Sequence, residues 1–245
     1  MPQYPVAFFS ETRIAGMIYL IVILTGIFSI AYVPGQLVDY RDGAATVARL
    51  AADAGLYRWG LAAGMACYLA YLFLPLALHR VLADSHRGLA GLMVILAVCG
   101  ALLSLINLGH KFDVLALLGQ RPGLASLTAA DVEGQVMLAL TRYNQGLVLA
   151  QLFWGAWLIP LGLLGLRSGV LPGLLGVLLV VGGIAYLVQS FAWTAFAGYA
   201  QSALARYVTT PASLAEIGTC LYLLFARARP IATGVRVPGG TDVRP

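Results

Sequence analysis

The chain has 245 residues, of which 60% are hydrophobic and 10% charged, and its mean hydropathy is +0.87. A soluble domain carries roughly a quarter charged residues on its surface. The composition therefore excludes a soluble protein and predicts an integral membrane protein. The net charge of +5 suits a protein face that meets anionic lipid, and the sequence does not interleave basic and aromatic residues in the way that is typical of nucleic-acid binding.

Charge-free stretches define the spans. We predict an all-α fold: an integral membrane bundle of six transmembrane helices, with short interfacial helices in the outer loops, in a single membrane domain over residues 1–245. The approximate spans are 12–33, 56–82, 88–113, 143–166, 171–196 and 211–226, followed by a flexible cytoplasmic tail over 227–245. A span needs about 20 apolar residues, and the last, of roughly 16, gives about 24 Å of helix. The first run exceeds a signal-peptide core of about 7 to 15 residues, so we expect it to be retained.

The distribution of positive charge favours one orientation. With six spans and the N-terminus inside, eight of the 15 Lys and Arg residues fall in the cytoplasm and seven outside. The count is nearly even, but the inside loops are only a few residues long, and the positive-inside rule is strongest for short loops. We therefore predict that both termini lie in the cytoplasm, as in a protein of the bacterial cytoplasmic membrane.

Two outer connections and one glycine pair have local signatures. Val47 and Leu50 follow at helical spacing between residues 43 and 54, which predicts a short interfacial helix. Residues 121–133 predict a turn and a short helix. Gly60 and Gly64 in the second span form a small-xxx-small pair. We interpret this pair as a site of packing inside the bundle rather than of dimerisation, and the sequence leaves the oligomeric state open.

Several blocks of sequence resemble one bacterial family. The N-terminal block is Thr12-Arg13-Ile14-Ala15-Gly16, followed by Leu56-Tyr57-Arg58-Trp59-Gly60. The stronger block combines Leu158-Ile159-Pro160-Leu161-Gly162 with Arg167-Ser168-Gly169-Val170-Leu171-Pro172 and Gly183-Ile184-Ala185-Tyr186-Leu187. Together they resemble the uncharacterised membrane family known as domain of unknown function 4386. The resemblance covers roughly residues 12–196 and implies a multi-pass membrane protein, without an activity.

Polar residues cluster at the end of the third span. Residues 88–109 carry no charge, yet four polar side chains lie within seven positions at the end of this run: Asn107, His110, Lys111 and Asp113. Ionisable groups at membrane depth are costly and often functional. Asn107, His110 and Lys111 fall on one helix face, as do His110 and Asp113. A functional hypothesis therefore begins at this cluster.

Other spans contribute polar side chains near the same outer level. The candidate ligand-binding residues are Arg58, Asn107, His110, Asp113, Asn144, Gln151, Gln189 and Glu216. If the helices converge there, these side chains line a polar cavity that opens to the outside and has an apolar floor.

Structural interpretations compete with this one for residues near the ends of helices and between them. Four of these side chains, Arg58, Lys111, Asp113 and Arg142, could instead snorkel to the membrane surface. Asn107, Gln151 and Gln189 could instead form hydrogen bonds between helices.

Glu216 has a structural alternative of its own. Ser213 and Glu216 fit the S-x-x-E capping box, in which the carboxylate accepts a hydrogen bond from a backbone amide at the start of a helix.

Three function classes follow from this pattern. We favour non-catalytic recognition of a lipid headgroup or small amphiphile, or an accessory or sensory role, with membrane lipid as the partner, no nucleic acid and no cofactor. A small-molecule carrier is the first alternative, although no inverted repeat supports it. An intramembrane hydrolase is the second, with Ser104 or Ser190 activated by His110 and Asp113. We assign no catalytic or metal-binding residues, since a metal hydrolase usually needs three protein ligands.

Overall fold

The computed structural model describes residues 6–119 and 126–225, with side chains from residue 11 onward, and these residues contain no β-strand. The predicted cytoplasmic tail lies outside the described residues. The helices are α1 (Val6–Gly26), a π-helix (Ile27–Tyr32), α2 (Val33–Leu37), α3 (Gly43–Ala52), α4 (Ala54–Leu82), α5 (Arg87–Asn107), α6 (Gly109–Leu118), α7 (Ala129–Ser168), α8 (Gly173–Ala195), a 3₁₀ turn (Tyr199–Gln201), α9 (Ala203–Tyr207) and α10 (Thr210–Phe225).

Six of these helical segments are long and apolar enough to cross a membrane, which confirms the predicted fold class. They cover Glu11–Leu37, Ala54–Leu82, Arg87–Leu118, Ala129–Ser168, Gly173–Ala195 and Ala203–Phe225. Their outward faces carry large apolar side chains that are exposed in the isolated chain, such as Ile95 at 62% and Phe191 at 68%. A surface of this kind is stable against lipid chains rather than water. The chain is an integral membrane protein.

The six spans pack as a closed ring. Each is in contact with the next, in the order α1, α4, α5, α7, α8 and α10, and α10 returns to α1. The main core fills this ring and includes Tyr19, Leu74, Met93, Trp157 and Leu161, all almost fully buried. The ring order brings the first and last spans of the chain side by side, and this contact forms one wall of the site described below.

Glycine sets the distance between α7 and α8. A methyl group added at Gly155 would lie 2.5 Å from the carbonyl oxygen of Gly183, and one added at Gly162 would lie 2.5 Å from that of Gly176. Such approaches are possible only where no Cβ is present, as is common between membrane helices. The two backbones are therefore in direct contact two turns apart along the helix pair.

A second, smaller core covers one end of the ring. It contains Leu50 of α3, Val114 of α6, Val136 of α7 and Val33 of α2. The predicted short helix after the first span is confirmed as α3, and Asp42 caps it by accepting a hydrogen bond from Ala45 N at 2.9 Å. The long helix α7 begins with a reciprocal capping box between Thr128 and Asp131, so it extends well before the predicted span at 143–166.

Candidate functional site

A cavity of about 280 Å³ lies inside the ring at mid-depth. Its lining comes from α1, the π-helix, α4, α7, α8 and α10, and consists of Tyr19, Val22, Ile23, Gly26, Ile27, Ile30, Cys67, Tyr68, Tyr71, Trp154, Trp157, Tyr186, Ser213, Glu216 and Ile217. Tyr19, Tyr71 and Tyr186 are each at least eight residues, or about 12 Å, from either end of their spans. These three tyrosines are thus remote from both ends of their spans.

Six of the fifteen lining residues are aromatic. The ring centroids of Tyr71 and Trp157 are 5.5 Å apart at an interplanar angle of 68°, and those of Tyr19 and Trp157 are 6.3 Å apart. Trp154 lies 6.4 Å from Tyr186 in an edge-on arrangement. These separations fall in the range of favourable aromatic pairs. The rings support one another and hold a fixed wall around the space.

Glu216 is the acidic residue in this wall. Its Oε1 accepts a hydrogen bond from the Tyr19 hydroxyl at 3.2 Å. Within the part of the chain that the structure describes, the one ion pair joins His110 and Asp113, and no basic side chain is paired with Glu216. A carboxylate taken out of water is costly unless a cation or several hydrogen bonds compensate for it. A single hydrogen bond leaves most of this requirement unmet.

One side of the cavity opens toward lipid between α1 and α10. The two helices touch closely where a methyl group at Gly16 would lie 2.9 Å from Leu224 N. Further along the pair, the lining residues Ile27 and Ile217 are 52% and 40% exposed, and Ser213 is also exposed. The lining of the cavity therefore includes residues that reach the lipid-facing surface on both sides of this helix pair.

The π-helix that forms the far wall is fixed by Lys111. The Lys111 ammonium donates a hydrogen bond to the Ser29 carbonyl oxygen at 2.8 Å and lies 4.4 Å from the centre of the Tyr143 ring. Gly64 permits this packing, since a methyl group there would lie 2.7 Å from Ser29 Oγ. Lys111 is only 3% exposed. The interpretation of Lys111 as a snorkelling residue was wrong. A π-helix disturbs the local hydrogen-bond pattern, and the Ser29 carbonyl oxygen of this π-helix accepts from the ammonium inside the bundle.

The glycine pair of the second span packs inside the ring, as predicted. A methyl group at Gly60 would lie 2.8 Å from Val33 Cγ1, and Gly64 faces Ser29. Both glycines therefore bring the end of the first span close to α4.

The predicted polar residues near the ends of α5 and α6 do not reach the cavity. Asn107 is buried, and its Nδ2 donates to the Tyr143 carbonyl oxygen at 2.9 Å, which is the predicted hydrogen bond between helices. His110 Nδ1 lies 3.4 Å from Asp113 Oδ2, with the two side chains 36% and 63% exposed. Asp113 is therefore a surface carboxylate one turn from His110.

The remaining predicted site residues lie at separate contacts. Arg58 is exposed, and Asn144 lies beside the Tyr40 hydroxyl. Gln151 Oε1 is buried without a hydrogen-bond partner among the described residues. Gln189 Oε1 accepts from the Tyr199 hydroxyl at 2.8 Å, and its Nε2 donates to a backbone carbonyl of α9 at 3.3 Å. Of the eight predicted side chains, the structure brings Glu216 alone to the cavity.

The alternative reading of Glu216 as a capping residue was wrong. The helix α10 begins at Thr210, so Ser213 is already inside the helix and cannot be its N-cap. The amide of Ser213 is bound instead to the Thr209 carbonyl oxygen at 3.2 Å. The Glu216 carboxylate is consequently directed to Tyr19 and the cavity.

The combination of spans and sequence blocks agrees with one family. The family model described as Domain of unknown function (DUF4386) matches residues 14–226. The chain belongs to this family. No curated protein and no solved structure matches it. Membership of this family of unknown function supplies the membrane architecture and no activity, so a functional argument rests on the cavity.

Neither alternative catalytic arrangement gains support from the described side chains. The Ser104 hydroxyl donates to the Gly100 carbonyl oxygen at 2.7 Å, and the Ser190 hydroxyl to Val148 and Tyr186 carbonyl oxygens at 3.0 Å. Both hydroxyls therefore donate to backbone carbonyl oxygens and not to a histidine. In residues 11–119 and 126–225, no three His, Cys, Asp or Glu side chains are grouped closely enough to hold a metal ion.

The aromatic wall is the part of the site that sequence reasoning missed. Tyr71, Trp157 and Tyr186 give no separate signal in the sequence. Tryptophan and tyrosine are common in membrane proteins, so their presence alone does not indicate a site. Whether they converge depends on the ring order of the helices. A sequence signal was nevertheless present in Glu216, an acidic residue within an apolar span.

Proposed function

We propose that this protein is a non-catalytic binder of a small amphiphile, which enters from the lipid phase and occupies the aromatic cavity. The observation that carries the proposal is a carboxylate, Glu216, in the wall of an aromatic cavity whose lining residues are partly exposed between α1 and α10. Binding pockets typically combine apolar and aromatic walls with a few polar groups that orient the ligand. Recognition of a membrane-soluble molecule fits this arrangement best.

The polarity of the cavity suits a molecule with one polar and one apolar end. Tyr19 and Glu216 supply polar atoms at one end, and Ile23, Ile27 and Ile30 supply an apolar surface along α1 and the π-helix. From Tyr19 to Ile30 the helix rises about 16 Å. The polar group of an amphiphile would face Glu216, and its chain would follow these isoleucines toward the lateral opening.

Two other functions fit the geometry less well. A carrier needs its site to open alternately toward two sides, whereas the observed opening is between α1 and α10. A hydrolase needs a nucleophile within reach of a base, whereas the hydroxyls of Ser104 and Ser190 are hydrogen-bonded to backbone carbonyl oxygens. We therefore favour recognition over transport or catalysis.

We also propose a location in the bacterial cytoplasmic membrane, with both termini in the cytoplasm. The short loops at residues 83–87 and 167–170 contain arginines and would lie on the cytoplasmic side. Short basic loops are retained inside. In this orientation α4 and α7 enter the cytoplasm at their C-terminal ends.

Tryptophan fluorescence provides a test of the binding proposal. The chain has four tryptophans, of which Trp154 and Trp157 line the cavity, whereas Trp59 and Trp193 are 71% and 40% exposed. A variant with Trp59→Phe and Trp193→Phe therefore emits from the cavity alone. Titration with an amphiphile that carries a brominated alkyl chain should quench this emission in a saturable way, because bromine quenches on contact.

A matched pair of substitutions locates the binding event. Ser213 lines the cavity, whereas the neighbouring Leu214 does not and is 60% exposed to lipid. In the cavity-reporting background, Ser213→Phe should abolish saturable quenching and Leu214→Phe should leave it intact. Equal quenching in both variants would show that the amphiphile only partitions into the lipid, and it would overturn the proposal.

A further inference from the structure

We propose that the ligand of the aromatic cavity is an organic cation, an amphiphile with an alkylammonium head. This inference rests on the binding function proposed above and specifies the chemical class of its ligand. Its basis is the juxtaposition of a carboxylate without a paired cation, Glu216, with six aromatic side chains in the wall of the same cavity.

The carboxylate determines the sign of the charge that the cavity accepts. Glu216 has the Tyr19 hydroxyl as its hydrogen-bond donor, and no ion pair with it occurs among the described residues. In surroundings of low dielectric constant, the ionised carboxylate attracts a positive ligand strongly, and a bound cation in turn stabilises the ionised form of Glu216, which an anionic or neutral ligand does not. The cavity thus favours a cation and rejects an anionic amphiphile such as a fatty acid.

The aromatic wall strengthens the same preference. Tryptophan and tyrosine rings attract ammonium groups through the negative potential of their faces, and quaternary ammonium ligands are commonly held in aromatic cages. The ring centroid of Trp157 lies 5.5 Å from that of Tyr71 and 6.3 Å from that of Tyr19, which donates to Glu216. Glu216 extends into the cavity that these rings line. A cation beside the carboxylate therefore also meets ring surface.

An unpartnered hydroxyl adds a third group. Tyr71 is only 5% exposed and lines the cavity, and its hydroxyl has no hydrogen-bond partner among the described residues. A hydroxyl oxygen can accept a hydrogen bond as well as donate one. The Tyr71 hydroxyl can therefore accept a hydrogen bond from an ammonium head that carries an N–H. With a quaternary head, it can instead donate to the Glu216 carboxylate.

The experiment compares two probes that differ in charge alone. A bromoalkyl trimethylammonium and a bromoalkyl chain of equal length that ends in a tert-butyl group, the neutral group of the same shape, are titrated against the Trp59→Phe and Trp193→Phe protein in zwitterionic lipid vesicles. Quenching is expressed against the membrane-bound probe concentration. The ammonium should bind about ten-fold or more tightly than the neutral probe, since both the carboxylate and the rings favour it.

Substitution of the carboxylate identifies the group responsible. Glu216→Gln keeps the shape of the side chain and should weaken ammonium binding by about ten-fold or more while changing the neutral probe little. Asp84→Asn removes an exposed carboxylate in the turn between α4 and α5 and should change neither. The thermal unfolding of both variants is measured in parallel.

Three outcomes separate this inference from the proposal beneath it. Equal affinity for the two probes, blocked by Ser213→Phe, would overturn the cation inference and leave amphiphile binding standing. A preference for the ammonium that survives Glu216→Gln would also overturn it. If neither probe gives saturable quenching, the binding function itself fails. The wild-type preference between probes is decisive even if Glu216→Gln does not fold.

Discussion

The ammonium of Lys111 lies 2.8 Å from the carbonyl oxygen of Ser29, a residue 82 positions earlier in the chain. Lys111 is the single lysine in the sequence, and it joins α6 to the π-helix that carries Ile27 and Ile30. Because these isoleucines line the cavity, the hydrogen bond from Lys111 stabilises the part of the cavity wall that the π-helix forms. The fold and the site are therefore linked through one buried cation.

Loss of this cation should destabilise the protein. Lys111→Met keeps most of the apolar chain but removes the hydrogen bond to Ser29 and the contact with Tyr143. We expect a loss of about 1–3 kcal/mol, the usual contribution of a hydrogen bond to a charged group, visible as a lower midpoint of thermal unfolding in detergent. Arg142→Met, which changes an exposed residue, is the control. Equal midpoints for the two variants would contradict the assigned role of Lys111.

The contact between α7 and α8 should not tolerate a side chain. A methyl group at Gly183 would lie 2.6 Å from the Gly155 carbonyl oxygen, whereas one at Gly91 in α5 would meet no atom within 4 Å. Gly183→Val should therefore cost about 1–3 kcal/mol or more through overpacking, and Gly91→Val much less. Thermal unfolding and size-exclusion profiles measure the difference. Similar behaviour of the two variants would mean that the helices are not in backbone contact.

The orientation can be tested with reporters fused at the C-terminus. With both termini in the cytoplasm, a C-terminal green fluorescent protein should fluoresce, and a C-terminal alkaline phosphatase, which folds outside, should be inactive. The same phosphatase placed after residue 42, between α2 and α3, should be active. An active C-terminal phosphatase would contradict either the orientation or the crossing of the last span.

The architecture was accessible from sequence because it depends on length and apolarity. Each span is a local property, and the requirement that a membrane helix satisfies its own backbone turns an apolar run into a helix. The predicted packing of Gly60 and Gly64 was also local, since a missing Cβ permits close approach wherever a partner exists. These features do not require knowledge of which helices are neighbours.

The site was less accessible because it depends on the neighbours. Lys111 was interpreted by its position near a helix end, yet its surroundings are set by the π-helix of the first span. Glu216 was placed in a common outer layer, whereas its contact with Tyr19, 197 residues away, puts it at mid-depth. The position of Glu216 depends on the contact between α10 and α1, and that of Lys111 on the contact between α6 and the π-helix. No local sequence pattern indicates either contact.

Photo-crosslinking tests the central claim most directly, since it reports where a ligand lies. A trimethylammonium amphiphile with a diazirine in its chain is activated in vesicles that contain the protein, and the labelled residues are mapped by mass spectrometry. The account predicts labels concentrated on residues 22–30 and 213–217, reduced by Ser213→Phe and by excess unlabelled ammonium. Labels spread over lipid-facing residues such as Leu92, Ile95 and Phe191, unchanged by competitor, would contradict it.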